Sequence, residues 1–202
     1  MTRSVAKNYD EKRLLILKAA AEVFAREGIA RASMNAVAKT CGISKANIYH
    51  YYASKDALLF DILDSYLSDL SNHICNLPLH NLNAKDKLNA ITRELLHAYD
   101  GMDHQHKIQI EGLPLLPKEQ QKLLKEYQCS MLVTVSDVLS EIVPPKVKYD
   151  RIVLRNITMS LFGMLNWYYI WNPNADLKAR EEYASTITEL TVSGAARFKI
   201  IQ

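Results

Sequence analysis

Residues 33 to 56 carry two short helical patterns with one glycine between them, and so tight a link leaves few folds open. Ser33 stands where a helix N-cap is expected, ahead of Met34, Val37 and Ala38, and the pattern ends at Thr40-Cys41. Gly42 can take the left-handed backbone that ends one helix and turns the chain into the next. Ser44 then caps a second helix in which Ile48 and Tyr51, three residues apart, point one way. Lys45, Asn47, Tyr49 and His50 are left to point outward. Two short helices joined this closely form a helix-turn-helix. The outward set is what a DNA duplex asks of a reading helix: short donors and a cation near the helix start for base edges, and longer donors behind them for phosphates. Lys45, Ala46 and Asn47 are the expected base contacts, and Ser33, Ser44, Tyr49, His50 and Lys55 the expected phosphate contacts, with Tyr52 in the same set.

The flanking segments fit this design. From Asp10 to Glu27, Ile16, Leu17, Ala20 and Phe24 recur at three- and four-residue steps before Gly28, so a scaffold helix is expected, packing Leu17 and Phe24 against Val37, Ile48 and Tyr51. Ser54 should cap a longer helix running through Leu58, Ile62, Leu67 and Ile74 towards Pro78. About twenty residues at 1.5 Å each reach roughly 30 Å, enough to join a DNA module to a second domain. Lys55 in its first turn opposes the helix dipole, a misfit that a nearby phosphate would relieve. The formal charge of +3 is unevenly spread: residues 1–56 hold ten Lys and Arg against five Asp and Glu, whereas the rest of the chain is net acidic. That skew points to a polyanionic partner for the N-terminal quarter. Residues 1 to 8 read as a mobile basic arm.

The run Ser33-Met34-x-x-Val37-Ala38-x-x-x-Gly42-Ile43-Ser44, followed by Ile48-Tyr49-His50-Tyr51-Tyr52-x-Ser54-Lys55-Asp56-x-Leu58-Leu59, resembles the N-terminal domain of the TetR family of transcriptional repressors. The likeness covers about residues 10 to 60. It departs at Ala32, often threonine in the family, and at Tyr52, more commonly phenylalanine. The expected organisation is a helix-turn-helix DNA-binding domain over residues 1–56, or 10–60 by the resemblance, and a C-terminal domain for ligand binding and dimerisation over 57–202.

Beyond Pro78 the pattern stays helical: Ala84 to Tyr99, a short polar segment with His104, His106 and Lys107, a helix from Pro117 to about Ile142, another from Asp150 through Trp171, and a last from about Leu177 to Arg197. The expectation is an all-α fold of about nine helices. The helix from Ile152 to Trp171 is apolar nearly all round in its second half, so two sides should be buried. One would face its own domain and the other the same helix of a second copy, giving a homodimer whose two reading helices meet half-sites ~34–36 Å apart.

Trp167, Tyr168 and Trp171, with Met131, Met159, Phe162 and Met164, hold more polarizable side chains than a plain core needs, and could wall an apolar ligand pocket. The stretch Phe162 to Tyr168, with Trp171-Asn172-Pro173 and Glu181 to Ala184, resembles the TetR branch that responds to coenzyme A thioesters. Arg151 and Arg155 share one helix face just before the aromatic stretch and would suit the phosphates of such an effector.

Other chemistry is not indicated. Cys41, Cys75 and Cys129 show no disulfide or zinc spacing, and of the histidines only His104 and His106 lie close together, on different helix faces, so neither a metal nor a cofactor is expected. No phosphate loop or nucleophile elbow argues for an enzyme. The absence of a signal-like start and of a ~20-residue apolar run leads to the expectation of a cytoplasmic protein with no membrane partner. The competing readings are an activator or DNA-organising protein of the same fold, and a soluble acyl-ligand carrier or enzyme.

Overall fold

The computed structural model describes residues 2–200, and residues 2–8 by their backbone alone. Among them are ten α-helices, one 3-10 turn and no strand. Helix α1 spans Thr2–Glu27, α2 Met34–Thr40, α3 Lys45–Tyr51, α4 Lys55–Cys75, α5 Ala84–Ala98, α6 Asp103–Gly112, α7 Lys118–Ser140, α8 Pro145–Tyr149, α9 Arg151–Trp171 and α10 Leu177–Ala195; Leu113–Leu115 form the 3-10 turn.

Three elements differ from the sequence reading. The supposed N-terminal arm continues α1 back to Thr2, because no glycine or proline stops the helix there. The polar segment after Gly101 folds as α6, which buries His106 and Ile108 although its apolar periodicity is weak. After the break at Pro144, Pro145 opens the short helix α8, a position where its missing N–H costs nothing.

The chain divides into two compact units. One comprises residues up to Ser68 together with Asp103–Lys125, the other Asp69–Met102 together with the residues from Glu126 onward. The unit containing α2 and α3 is thus larger than residues 1–56. In it α1 packs on α2 and α6, and α2 on α3. Phe24, Val37, Ile48, Leu58 and Leu63 have no exposed surface, so the scaffold helix supplies the apolar cover that two seven-residue helices lack. Gly112 lets α6 come close: a methyl there would stand 3.0 Å from both Ile29 Cδ1 and Leu59 Cδ1. Lys107 of α6 donates to the Ala25 carbonyl of α1 at 2.7 Å.

In the second unit α10 packs along α5 and against α9. The hydroxyls of Thr92 and Thr188 meet at 2.9 Å between α5 and α10. Arg180, only 5% exposed, donates to the carbonyls of Ala175 and Leu96 and to the Asp100 carboxylate, the last at 2.9 Å. A buried guanidinium is tolerated because its donors are met by fixed acceptors near the C-terminal end of α5. The sharp turn after α9 is made by Asn174 at φ 60°, a left-handed conformation asparagine accepts.

Substituting Phe24→Ala should cost about 3–5 kcal/mol, the range for emptying a fully buried aromatic site, and urea denaturation of the two proteins measures the difference.

Candidate functional site

The two short helices are ended and begun by local chemistry. At the C-terminus of α2, Gly42 takes φ +67° while Gly42 N donates to Lys39 O and Ile43 N to Ala38 O, the paired bonds of a Schellman turn. The Ser33 hydroxyl accepts from Ala36 N and the Ser44 hydroxyl from Asn47 N, both at 3.1 Å. Each oxygen is thereby used as an acceptor while its own proton is left to donate. Ile48 faces inward, and Ser44, Lys45, Ala46, Asn47, Tyr49 and His50 are all exposed, so the outward set forms one continuous polar surface around the start and outer face of α3. Tyr51 does not join the core packing expected of it. Its ring stacks on Tyr9 of α1, centroids 4.8 Å apart, with His50 edge-on to it.

Two residues assigned to this outward set sit elsewhere. Tyr52 is 7% exposed and donates its hydroxyl to Asp61 of α4, so it is turned inward and not towards a phosphate. Burial, reinforced by the Asp61 carboxylate, holds its phenol well above the ordinary tyrosine range. Lys55 donates its ammonium to the carbonyls of Ile29, Ala30 and Ala32 at 2.7, 3.1 and 3.2 Å. All three donors are met by the turn between α1 and α2. The dipole misfit in the first turn of α4 is therefore relieved by carbonyls of the same chain, while the Ser54 hydroxyl caps the helix by accepting from Ala57 N.

In the second unit α9 is two-sided. Thr158, Leu161, Phe162, Leu165 and Tyr168 are buried, whereas Ile152, Met159, Trp167, Ile170 and Trp171 are exposed, the two tryptophans at 59% and 55%. A Cβ at Gly163 on the exposed side would meet nothing within 4 Å. The residues expected to wall one pocket therefore do not share one wall. Met131, Phe162 and Tyr168 are inside, Met164 is half-buried, and Met159, Trp167, Trp171, Arg151 and Arg155 lie on the surface of the single chain. The cause is helical geometry: residues 159, 163, 167 and 170 follow one face, residues 158, 161, 165 and 168 the other. Tyr168, Trp171 and Tyr183 do come together, with Tyr168 stacked on Tyr183 at 4.5 Å and Trp171 edge-on to it at 5.2 Å. The Tyr183 hydroxyl donates to the Met164 carbonyl. No group of three or more His, Cys, Asp or Glu side chains among the described residues is arranged to hold a metal. No helix there is long and apolar enough to cross a membrane.

Residues 16–62 match the family of bacterial regulatory proteins of the tetR type, and residues 81–195 match a tetracyclin repressor-like C-terminal domain. The second match alone covers more than half of the chain. The protein belongs to the TetR family. That family is one of bacterial regulatory proteins. A curated relative, the HTH-type transcriptional regulator UidR of Escherichia coli K12, is 45% identical over 51 residues, which are 25% of this chain and 26% of that one. The chain thus spans about a quarter of that relative's length. A TetR-family regulator from Bordetella parapertussis has the same fold with a TM-score of 0.82 and 29% identity, covering 94% of this chain and 98% of the other. The transcriptional regulator FadR of Bacillus subtilis, solved with stearoyl-CoA, superposes with a TM-score of 0.67 at 19% identity over 90% and 98% of the two chains.

Within this TetR-type framework, three side chains escaped the sequence reading. Arg180 lies in a helix rich in charged residues, and its partner Asp100 is eighty residues away, so it carried no local mark. Asn166, which accepts from the Tyr99 hydroxyl at 2.9 Å, sits within the aromatic stretch and was hidden by it. Asp61 shares α4 with Asp64 and Asp69, and it receives both Arg13 and Tyr52. An acid among apolar neighbours at helical spacing was the available signal.

Replacing Lys55 with Ala should lower stability by about 1–3 kcal/mol, since three carbonyls lose a charged donor, and leave the salt dependence of duplex binding unchanged. Denaturation together with a salt titration of DNA binding separates this from the loss of a phosphate contact.

Proposed function

We propose that the chain is a homodimeric, ligand-responsive repressor that binds a palindromic operator and is released by a small apolar or acyl-CoA-type effector. The observation that carries the reading is α3 itself: one buried isoleucine on the inner side, and an exposed, uncharged-to-cationic surface on the other. Its first turn presents Lys45, Ala46 and Asn47 for base edges. Ser33, Ser44, Tyr49 and His50 surround them for phosphates. One such helix covers too few base pairs for specificity, and a twofold pair reads two half-sites.

The pairing surface in this reading is the outer side of α9. Ile152, Met159, Trp167 and Ile170 are large apolar groups that a single chain leaves in water, and the bare backbone at Gly163 permits close helix approach. Support for an acyl-CoA effector comes from FadR, which has the same fold and was solved with stearoyl-CoA. Met131, Phe162 and Tyr168, with the half-buried Met164, are the candidates for its apolar part, and Trp171 lies beside them through Tyr168. Arg151 and Arg155 are exposed and free to meet its phosphates. An effector preferring the non-binding state by 2–3 kcal/mol would weaken operator affinity roughly 30- to 150-fold.

Selection of duplexes from a randomised pool, followed by titration at several salt concentrations, should yield a twofold-symmetric site whose affinity falls steeply with salt. Tyr49→Phe is expected to weaken all sequences alike, and Lys45→Ala or Asn47→Ala to relax preference at particular bases. Adding stearoyl-CoA or isovaleryl-CoA should raise the melting temperature and release the duplex; duplex binding that no thioester affects would favour an activator or architectural role. Trp167→Glu should shift the chain from dimer to monomer in sedimentation velocity and abolish tight binding to the symmetric site, and an unchanged dimer would remove α9 from the interface.

A further inference from the structure

Asp61 lies six residues into α4, and its carboxylate gathers two side chains from other helices of the same unit. Arg13 of α1 approaches it with both faces of its fork, Nε donating to Oδ2 at 3.0 Å and Nη2 to Oδ1. The Tyr52 hydroxyl donates to Oδ2. Arg13 Nη2 also reaches Ser65 Oγ at 3.4 Å, one turn further along α4. The group is only partly in water, with the Arg13 and Asp61 side chains 34% and 20% exposed. Both charges are therefore held in a medium where their bonds are stronger than at an open surface.

What makes this arrangement more than an ion pair is the place of Tyr52. It is the C-cap residue of α3, its N–H bonded to the Ile48 carbonyl at 3.0 Å, so a bond to its hydroxyl is a bond to the end of that helix. Its neighbour Tyr51 is gripped by Tyr9, which precedes Arg13 by one turn on the same face of α1. The last residue of α3 is thus fastened to α1, and its C-cap to α4 and, through the Asp61 carboxylate, to Arg13 of α1. Ile48 supplies a buried pivot, and the exposed start of α3 with Lys45, Ala46 and Asn47 lies on the other side of it.

We propose that Asp61 is a positioning residue for DNA reading: by keeping the Tyr52 hydroxyl and the Arg13 guanidinium on one carboxylate, it sets the tilt of α3 about Ile48. The inference rests on the proposed role of α3 at a duplex. Loss of the hydroxyl leaves Arg13 and Asp61 paired and the core filled, so the tilt of α3 is released without removing its hydrophobic anchor.

The test uses the full chain as wild type, Tyr52→Phe, Asp61→Asn and the double variant, titrated with a duplex enriched by the wild type from a randomised pool. Each affinity is normalised to the fraction of active protein, melting curves are recorded alongside, and the titration is repeated across a salt series. Tyr52→Phe and Asp61→Asn are each expected to weaken normalised affinity about tenfold, as for one lost contact, and to reduce the salt slope by about one phosphate. The double variant should be no weaker than Asp61→Asn alone, because both substitutions cut the same link. A purely structural role would lower the melting temperature and the active fraction while leaving normalised affinity and slope at wild-type values, and that result overturns the inference. Should Asp61→Asn fail to fold, Tyr52→Phe decides alone by the same two readouts. A wild type that enriches no duplex overturns the reading of α3 together with this inference, whereas a wild type that binds and variants that bind identically overturn this inference only.

Discussion

A seven-residue helix cannot persist in water by itself, so α3 depends on the one side chain it hides completely, Ile48. The rest of the first unit can be understood as what makes that burial possible. Helix α1 provides the apolar surface, α2 is held next to α3 by the Schellman turn at Gly42, and the serine caps remove the orphan N–H groups that would otherwise favour unravelling. Lys55 closes the arrangement from the far side, tying the start of α4 to the turn between α1 and α2. Each device is small. Together they let an otherwise unstable helix leave a polar side bare, because apart from the Ser44 cap its stability is drawn from the opposite side.

The second unit solves a different problem, with charge where the first used aliphatic packing. Arg180 is buried at the C-terminal end of α5, where carbonyls point outward and the helix dipole is negative; it takes one of those carbonyls, at Leu96, the Ala175 carbonyl ahead of α10, and the Asp100 carboxylate. Replacing such a group with an aliphatic residue would pack as well, so its worth lies in direction: a fork of donors fits one arrangement of α5 and α10 and rejects neighbouring ones. The Thr92 and Thr188 hydroxyls act in the same way at the middle of the same helix pair.

Much of this was written plainly in the chain. The caps at Ser33, Ser44 and Ser54, the left-handed Gly42 and the inward Ile48 follow from local rules that act within four residues, and the structure has each of them. Tyr52 and Lys55 could not be read so, because their partners Asp61 and the carbonyls of residues 29, 30 and 32 come from other elements, and residue type alone makes both look like phosphate donors. Helix α6 was missed for a related reason: His106 occupies a buried place in a pattern that tests for aliphatic residues, and its ring is accepted there by the Tyr66 hydroxyl at 2.7 Å. On α9 the high apolar content was legible, but composition does not distinguish a face turned to the chain's own core from one turned outward. That required the phase of the helix, which its packing against α5, α8 and α10 sets.

The first compact unit is not one stretch of chain, since residues 103–125 return to join residues up to Ser68, and both α4 and α7 start in one unit and finish in the other. A unit assembled this way is no detachable cartridge. Recombination that grafted residues 1–68 onto an unrelated sensor would strip away α6, exposing the flank where Gly112 nestles against Ile29 and Leu59. Whole-module exchange thus carries a folding penalty built into the topology, whereas a substitution on the exposed side of α3 leaves that flank covered.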